Sequence, residues 1–319
     1  MNVSKQSIVG QNYMHTKPTV STIMPFYNTP GTFIQEAIKS VFAQRYDSWE
    51  LLLVDDGSIG ESTDIARDFA KRYPEHVRYL EHPAHENRGL SASRTLGITE
   101  AKGQFIAFLD SDDVWLPHKL EQQLAIIDAH PEVMMIYGNT QYWYSWTGSR
   151  EDQRRDFIPK LGVRAGTVVH PPALLPLFLR GEAAVPCTCS IVVRREVFEQ
   201  IGGFEASFPN MYEDQVFYSK VCLEAPVLVA DTCWDRYRQH PGSTCSTAER
   251  TGQERAARRT FLNWLEQYVA ARQIKDPEVW KALREELRRH ETSQGSDVSD
   301  LAQYFRRRMR KLVRRMRPF

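Results

Sequence analysis

Between Thr19 and about Tyr137, short apolar runs alternate with stretches of helical periodicity. Val20 to Met24, Leu51 to Val54, Val77 to Leu80, Phe105 to Leu109 and Met134 to Tyr137 are rich in Val, Ile, Leu and Phe and read as strands. Between them, Phe33, Ala37, Ile38, Val41 and Phe42 mark one helical face. Ile65, Ala66, Phe69 and Ala70 mark a second, and Leu120, Leu124 and Ile127 a third. Strands that are apolar throughout need cover on both faces. With helices between them, they predict an α/β fold: a Rossmann-like, mainly parallel sheet flanked by helices. In such sheets ligands gather beyond the carboxyl ends of the strands.

Four of these strand ends carry polar, ligand-competent residues. Pro25-Phe26-Tyr27-Asn28 follows the first and Asp55-Asp56-Gly57-Ser58 the second. Asn87 to Arg94 lies a short loop beyond the third, and Asp110-Ser111-Asp112-Asp113 follows the fourth. Like charges packed this closely repel by kilocalories unless a cation sits among them. A divalent cation holding a substrate diphosphate is one reading. The other is a helix start, with Ser111, Asp112 or Asp113 capping a helix that Val114 to Pro117 leads into.

The pattern changes after Tyr137. From Gly138 to Gly166 the chain is aromatic and polar without a period, which reads as a long connection able to carry a mobile loop. Pro171 to Gly181 reads as a short helix, Ser190 to Val193 as a strand, and Arg195 to Ile201 as a helix running into Gly202-Gly203-Phe204. Beyond Ser246 the chain is helical and charged, with Phe261, Leu262, Leu265, Val269, Trp280, Leu283 and Leu287 at helical spacing. Thr292 to Ser296 reads as a linker.

Composition bounds the function. The 319 residues suffice for one large core or two modest ones, and 42% hydrophobic with 25% charged residues is ordinary for a globular protein. The formal net charge of +1 hides an asymmetry. Tyr304 to Phe319 carries eight Arg and Lys and no acid, leaving the rest at −7, which argues against a nucleic-acid partner for the body. Five cysteines without C-x-x-C spacing argue against a disulfide framework or a structural zinc, and point to a reducing cytosol. Neither a signal peptide nor a membrane span is expected.

The ordered set T-I-M-P-F-Y-N, V-D-D-G-S, N-R-G-L-S-A-S-R, F-L-D-S-D-D, G-G-F and E-D, followed by R-Q-H-P-G-S-T, resembles glycosyltransferase family 2, of the GT-A fold, from about Val20 to Thr244. The resemblance implies an inverting transferase that uses a nucleotide diphosphate sugar, UDP favoured, and a divalent cation, Mn²⁺ or Mg²⁺. It implies Pro25 and Asp56 in the base pocket, with Asp55 supporting that turn, and Arg94 near the diphosphate or holding the acids. Asp110 would contact ribose or metal, Asp112 and His240 the metal, and Asp113 would support them. Asp214 would be the base, with Glu213 orienting its neighbours. On the residues alone, Glu213-Asp214 reads equally as two acids at a helix N-terminus. The chain departs from the family in Ser93-Arg94-Thr95, where Ala-Arg-Asn is common, and in Lys220, where Arg is common.

The expected organisation is an N-terminal extension (1–18), a nucleotide-sugar-binding half (19–137), an acceptor half (138–246), a C-terminal helical extension (247–295) and a basic amphipathic tail (296–319). The tail repeats Leu301, Phe305, Met309, Leu312, Val313 and Met316 among its arginines, a shape suited to an anionic membrane surface. The expected setting is cytoplasmic, peripheral on the inner face of the membrane, with a glycan or lipid-linked acceptor and a role in polysaccharide biosynthesis. The alternatives are a sugar-nucleotide nucleotidyltransferase and a non-catalytic nucleotide-sugar-binding protein. The first would want a Gly-rich loop with Arg after the first strand, where Pro25 to Asn28 stands. The intact Asp112, Asp214 and His240 argue against the second.

Overall fold

The computed structural model describes residues 18–292. The expected N-terminal extension, except Pro18, and the linker and basic tail from residue 293 onward lie outside the described residues. Among those described, nine strands form one sheet: β1 (Val20–Phe26), β2 (Trp49–Asp55), β3 (Val77–Glu81), β4 (Phe105–Phe108), β5 (Val114–Trp115), β6 (Met135–Trp143), β7 (Thr167–Val169), β8 (Val192–Arg194) and β9 (Val227–Arg238). Their order is β3-β2-β1-β4-β8-β6-β9-β5, with β7 also on β9. The ladders β3-β2-β1-β4 and β6-β9 are parallel and long. The antiparallel contacts of β8, β5 and β7 span two or three residue pairs each.

The strands divide residue by residue between two cores, as apolar runs with a two-residue repeat must when both faces are covered. Val20, Met24, Leu51, Leu53, Phe105 and Ala107 pack under the helices Gly31–Phe42, Glu61–Arg72 and Lys119–Ala129. Ile23, Leu52, Val54, Ile106 and Phe108 face the opposite core, which holds the helices Leu174–Arg180, Glu213–Glu224, Glu254–Ala271 and Pro277–Thr292. The helix Leu90–Glu100 also lies on this side, close to β1. A Cβ on Gly97 would come within 2.4 Å of Ile23 Cγ2.

The structure closes one open reading, changes one expectation and adds a strand. The acidic run caps no helix: the Asp113 N–H donates to the Asp110 carbonyl (3.0 Å), closing a turn, and Val114–Trp115 pairs as a strand with Asp235 and Arg236. The following helix begins only at Lys119. The stretch Gly138–Gly166 is not a patternless loop, because β6 continues to Trp143 beside β9. Asp156 then pins the turn beyond β6, accepting from the Tyr144 and Ser145 N–H groups at 2.7 and 2.9 Å. β9 itself escapes the sequence reading. Only Val227–Ala230 is an apolar run, and both Trp234 and Asp235, consecutive residues on opposite faces, are fully buried.

Candidate functional site

The carboxyl ends of β1, β2 and β4 meet the end of β9 and the start of the helix Glu213–Glu224. Pro25 sits inside β1, an unusual place for a residue without an N–H. The Ile23 carbonyl accepts from Leu109 on the β4 side, and Pro25, two residues on, faces the same way past the last β1–β4 pair. No ladder donor is needed there.

Asp55 and Asp56 divide the turn between them. The Asp55 carboxylate accepts from the Ser58 N–H (2.7 Å), the Thr63 hydroxyl (2.6 Å) and the Tyr79 hydroxyl (3.0 Å), which fixes the turn. Gly57 takes φ +80°, and a Cβ there would lie 2.7 Å from the Asn87 nitrogen, so the turn packs directly on the loop after β3. Asp56 reaches across to that loop. Its Oδ1 accepts from the Arg88 N–H (2.8 Å), and both oxygens accept from the Gly89 N–H. Ser93 adds a hydroxyl donor at 3.1 Å. A carboxylate offers about four acceptor positions, and Oδ2 uses one of them here.

Arg94, from the helix Leu90–Glu100, is the hinge of the site. Its guanidinium is buried, donating to Glu213 at 2.7 Å and Asp110 at 2.9 Å, and it lies 5.1 Å from the Phe204 ring centre. This is the arrangement in which Arg holds the acids. It ties the turn after β4 to the helix bearing Asp214, although the residues are over a hundred positions apart.

The three acids of the Asp110–Asp113 turn have different surroundings. Asp113 is buried, accepting from the Arg238 N–H (2.8 Å) and the Cys189 thiol (3.1 Å). Burial, then the charges of Asp112 and Asp110, hold its carboxyl well above the usual range. Asp110 keeps a third of its side chain exposed and Asp112 a quarter. The Asp112 carboxylate meets His240 Nε2 at 2.9 Å, and among the described residues no Arg or Lys forms an ion pair with it. Excess negative charge, exposed oxygens and an imidazole at the rim suit a divalent cation. Oxygen with imidazole nitrogen suits Mn²⁺ better than Mg²⁺. Asp110, Asp113 and Cys189 also approach one another closely enough to form a second ligand group, but the thiol is buried and held protonated by that burial.

Two contributors escaped the sequence reading. Arg238 donates to the Asp112 carbonyl (2.6 Å) and pairs with Glu36 (2.6 Å), between the rings of Phe33, Trp143 and Trp146. It clamps the acidic turn to β9, whose extension carries His240 against Phe33. The signal lay in R-Q-H-P-G-S-T, where the histidine drew the attention. Cys189 gave no signal, since it reaches Asp113 only through the β4–β8 pairing. The aromatics Tyr142 to Trp146 serve packing: Tyr142 stacks on Phe157, and the Trp146 indole donates to the Gln239 carbonyl at 2.9 Å.

Asp214 stands in the first turn of its helix, with its carboxyl pushed up to about 7. Lost hydration is the largest cause, followed by the neighbouring Glu213 charge. Arg94 and the Gln215 N–H pull the other way.

This mainly parallel sheet, with acids gathered at its strand ends, is of the GT-A kind, and the comparisons agree. The glycosyl transferase family 2 model matches residues 21–202, and the chain belongs to that family. It is similar to the glycosyltransferase EpsE of Bacillus subtilis (strain 168), 32% identical over 152 residues, 48% of this chain and 53% of EpsE. It is also similar to the teichuronic acid biosynthesis glycosyltransferase TuaG of the same organism, 42% identical over 113 residues, 34% of this chain and 41% of TuaG. The chain thus matches about half the length of these relatives. The crystal structure of S. aureus TarS 1–349 in complex with UDP-GlcNAc superposes with a TM-score of 0.61 at 20% identity, covering 86% of this chain and 73% of that one, a likeness of fold. No helix among the described residues is long and apolar enough to cross a membrane.

Proposed function

We propose that this family 2 glycosyltransferase moves a sugar, with inversion, from a nucleotide diphosphate sugar to a hydroxyl of a glycan or lipid-linked acceptor in polysaccharide biosynthesis. The observation that carries the reading is the Arg94 bridge, which fixes the Asp110–Asp113 turn and the Asp214 helix as one unit. UDP is the favoured nucleotide. TuaG, by its name, serves teichuronic acid synthesis, and the TarS structure holds UDP-GlcNAc, which supports the substrate class.

In this reading Pro25 and Asp56 line the base pocket, the free capacity of Asp56 Oδ2 accepting an imide N–H. Asp110 contacts the ribose, and Asp112 with His240 would hold Mn²⁺ or Mg²⁺. That ion would supply charge neutralisation of the leaving diphosphate. Asp214 takes the proton of the acceptor hydroxyl, whose oxygen forms a bond to the anomeric carbon as the bond to the diphosphate oxygen breaks on the opposite face. A carboxyl near pH 7 is suited to this: ionised enough to act, basic enough to accept. Glu213 and Asp113 hold their neighbours in place.

The test is a panel of UDP-, GDP- and dTDP-sugars assayed with Mn²⁺ and Mg²⁺. Metal-dependent release of the nucleoside diphosphate from one of them is expected. Release of pyrophosphate from a nucleoside triphosphate and a sugar phosphate would favour a nucleotidyltransferase instead. Binding without any turnover would favour a non-catalytic protein.

A further inference from the structure

Tyr212, immediately before Glu213 and Asp214, adopts φ +62° and ψ +6°. A bulky residue in this left-handed region is strained, and holds there only where its surroundings over-determine it. Those surroundings belong to the helix Glu254–Ala271, beyond the residues that the family model matches. The Tyr212 hydroxyl donates to Glu254 (2.9 Å), and its ring stacks on Phe261 with centres 5.4 Å apart and planes at 19°. One turn along from Glu254, buried Arg258 donates to the Gln215 side chain (3.2 Å) while paired with buried Glu286 (3.0 Å) of the helix Pro277–Thr292. The residues on either side of Glu213-Asp214 are therefore both held from the C-terminal extension.

We infer that this extension is a positioning element of the active site. Glu254, Phe261 and Arg258 clamp Tyr212 and Gln215, and so aim the Asp214 carboxylate at the acceptor hydroxyl. The inference rests on the reading of Asp214 as the base. None of these groups is placed in donor binding, so they should govern turnover and leave donor affinity alone.

The experiment measures kcat and donor KM for UDP release, using the UDP-sugar that turns over fastest in the panel, together with calorimetric affinity for UDP in Mn²⁺. Glu254→Ala is expected to lower kcat about tenfold, since small misplacements of a catalytic group carry costs of that order. KM and UDP affinity should stay within about twofold. Glu254→Gln, whose amide oxygen still accepts from Tyr212, should restore kcat. Glycine adopts the left-handed conformation freely, so in a Tyr212→Gly background Glu254→Ala should have no further effect. The pair Arg258→Met with Glu286→Leu removes the contact to Gln215 without leaving a buried charge unpaired, and should lower kcat with the melting temperature preserved.

Unchanged kcat in both Glu254→Ala and the Arg258–Glu286 pair, with Asp214→Asn inactive, overturns the inference. So does a loss of UDP affinity equal to the loss of kcat. Full activity in Asp214→Asn instead overturns the assignment of the base.

Discussion

Glu213→Gln tests the electrostatics of Asp214, the proposed base, directly. The amide keeps the shape of Glu213, and its oxygen can still accept from Arg94, which Glu213 meets at 2.7 Å. What it removes is the negative charge that, after lost hydration, most raises the Asp214 carboxyl. At a separation of about 6 Å and an effective dielectric near 20, one unit charge contributes about 2.8 kcal/mol. Asp214 is only partly buried, so solvent screens the interaction to about half of that, near 1.4 kcal/mol, or a tenfold change in the proton equilibrium. The wild-type rate of nucleoside diphosphate release should fall on the acid side with an apparent midpoint near 7, as Asp214 becomes protonated. In Glu213→Gln that limb should move about one pH unit lower, raising relative activity at pH 6. The assay is the pH profile of kcat/KM for the donor, which reports the groups of the free enzyme, from pH 5 to 9. A limb that stays in place, or moves to higher pH, refutes the account of why Asp214 is basic.

Asp214→Asn should retain metal-dependent UDP binding while cutting release about 100-fold or more, read by calorimetry and product assay. The same variant makes a stability prediction. A carboxyl raised from 3.8 to about 7 in the fold costs stability increasingly as pH rises through that window, and in full above it. The gain in melting temperature on substitution should therefore be larger at pH 8 than at pH 5. Asp112→Ala should weaken calorimetric UDP affinity in Mn²⁺ by tenfold or more, while affinity in EDTA is unchanged; equal losses in both would remove Asp112 from metal binding. Deleting Asp300 to Phe319 should abolish co-sedimentation with phosphatidylserine vesicles and leave activity on a soluble acceptor intact. Retained co-sedimentation would place any membrane contact elsewhere.

The N-terminal part of the sheet was largely legible in the chain. Val20–Phe26, Trp49–Asp55 and Phe105–Phe108 are parallel strands covered on both sides, and such strands read as mostly apolar runs. Their ends stand out because the polarity changes abruptly at Asp55 and Asp110. A single strand pattern could not reveal β9. Its outer part, from Asp231 to Arg238, buries polar residues against partners remote in sequence, and so lacks an apolar signature. The acidic turn posed the same difficulty. Asp110 to Asp113 satisfies the local chemistry of a helix cap, and only the pairing of Val114–Trp115 with β9 decides otherwise.

The sequence by itself determined the residue types and their order: carboxylates after β2 and β4, an arginine between them, an acid pair and a late histidine. Tertiary structure decided how they share the work. It buried Asp113 behind Cys189 and left Asp112 facing His240, placed Arg94 between Asp110 and Glu213, and clamped the acidic turn with Arg238. Charge, hydration and distance determine what a carboxylate does. Those are set by neighbours that the fold brings from as far as 128 residues away, so four similar acids acquire four different environments.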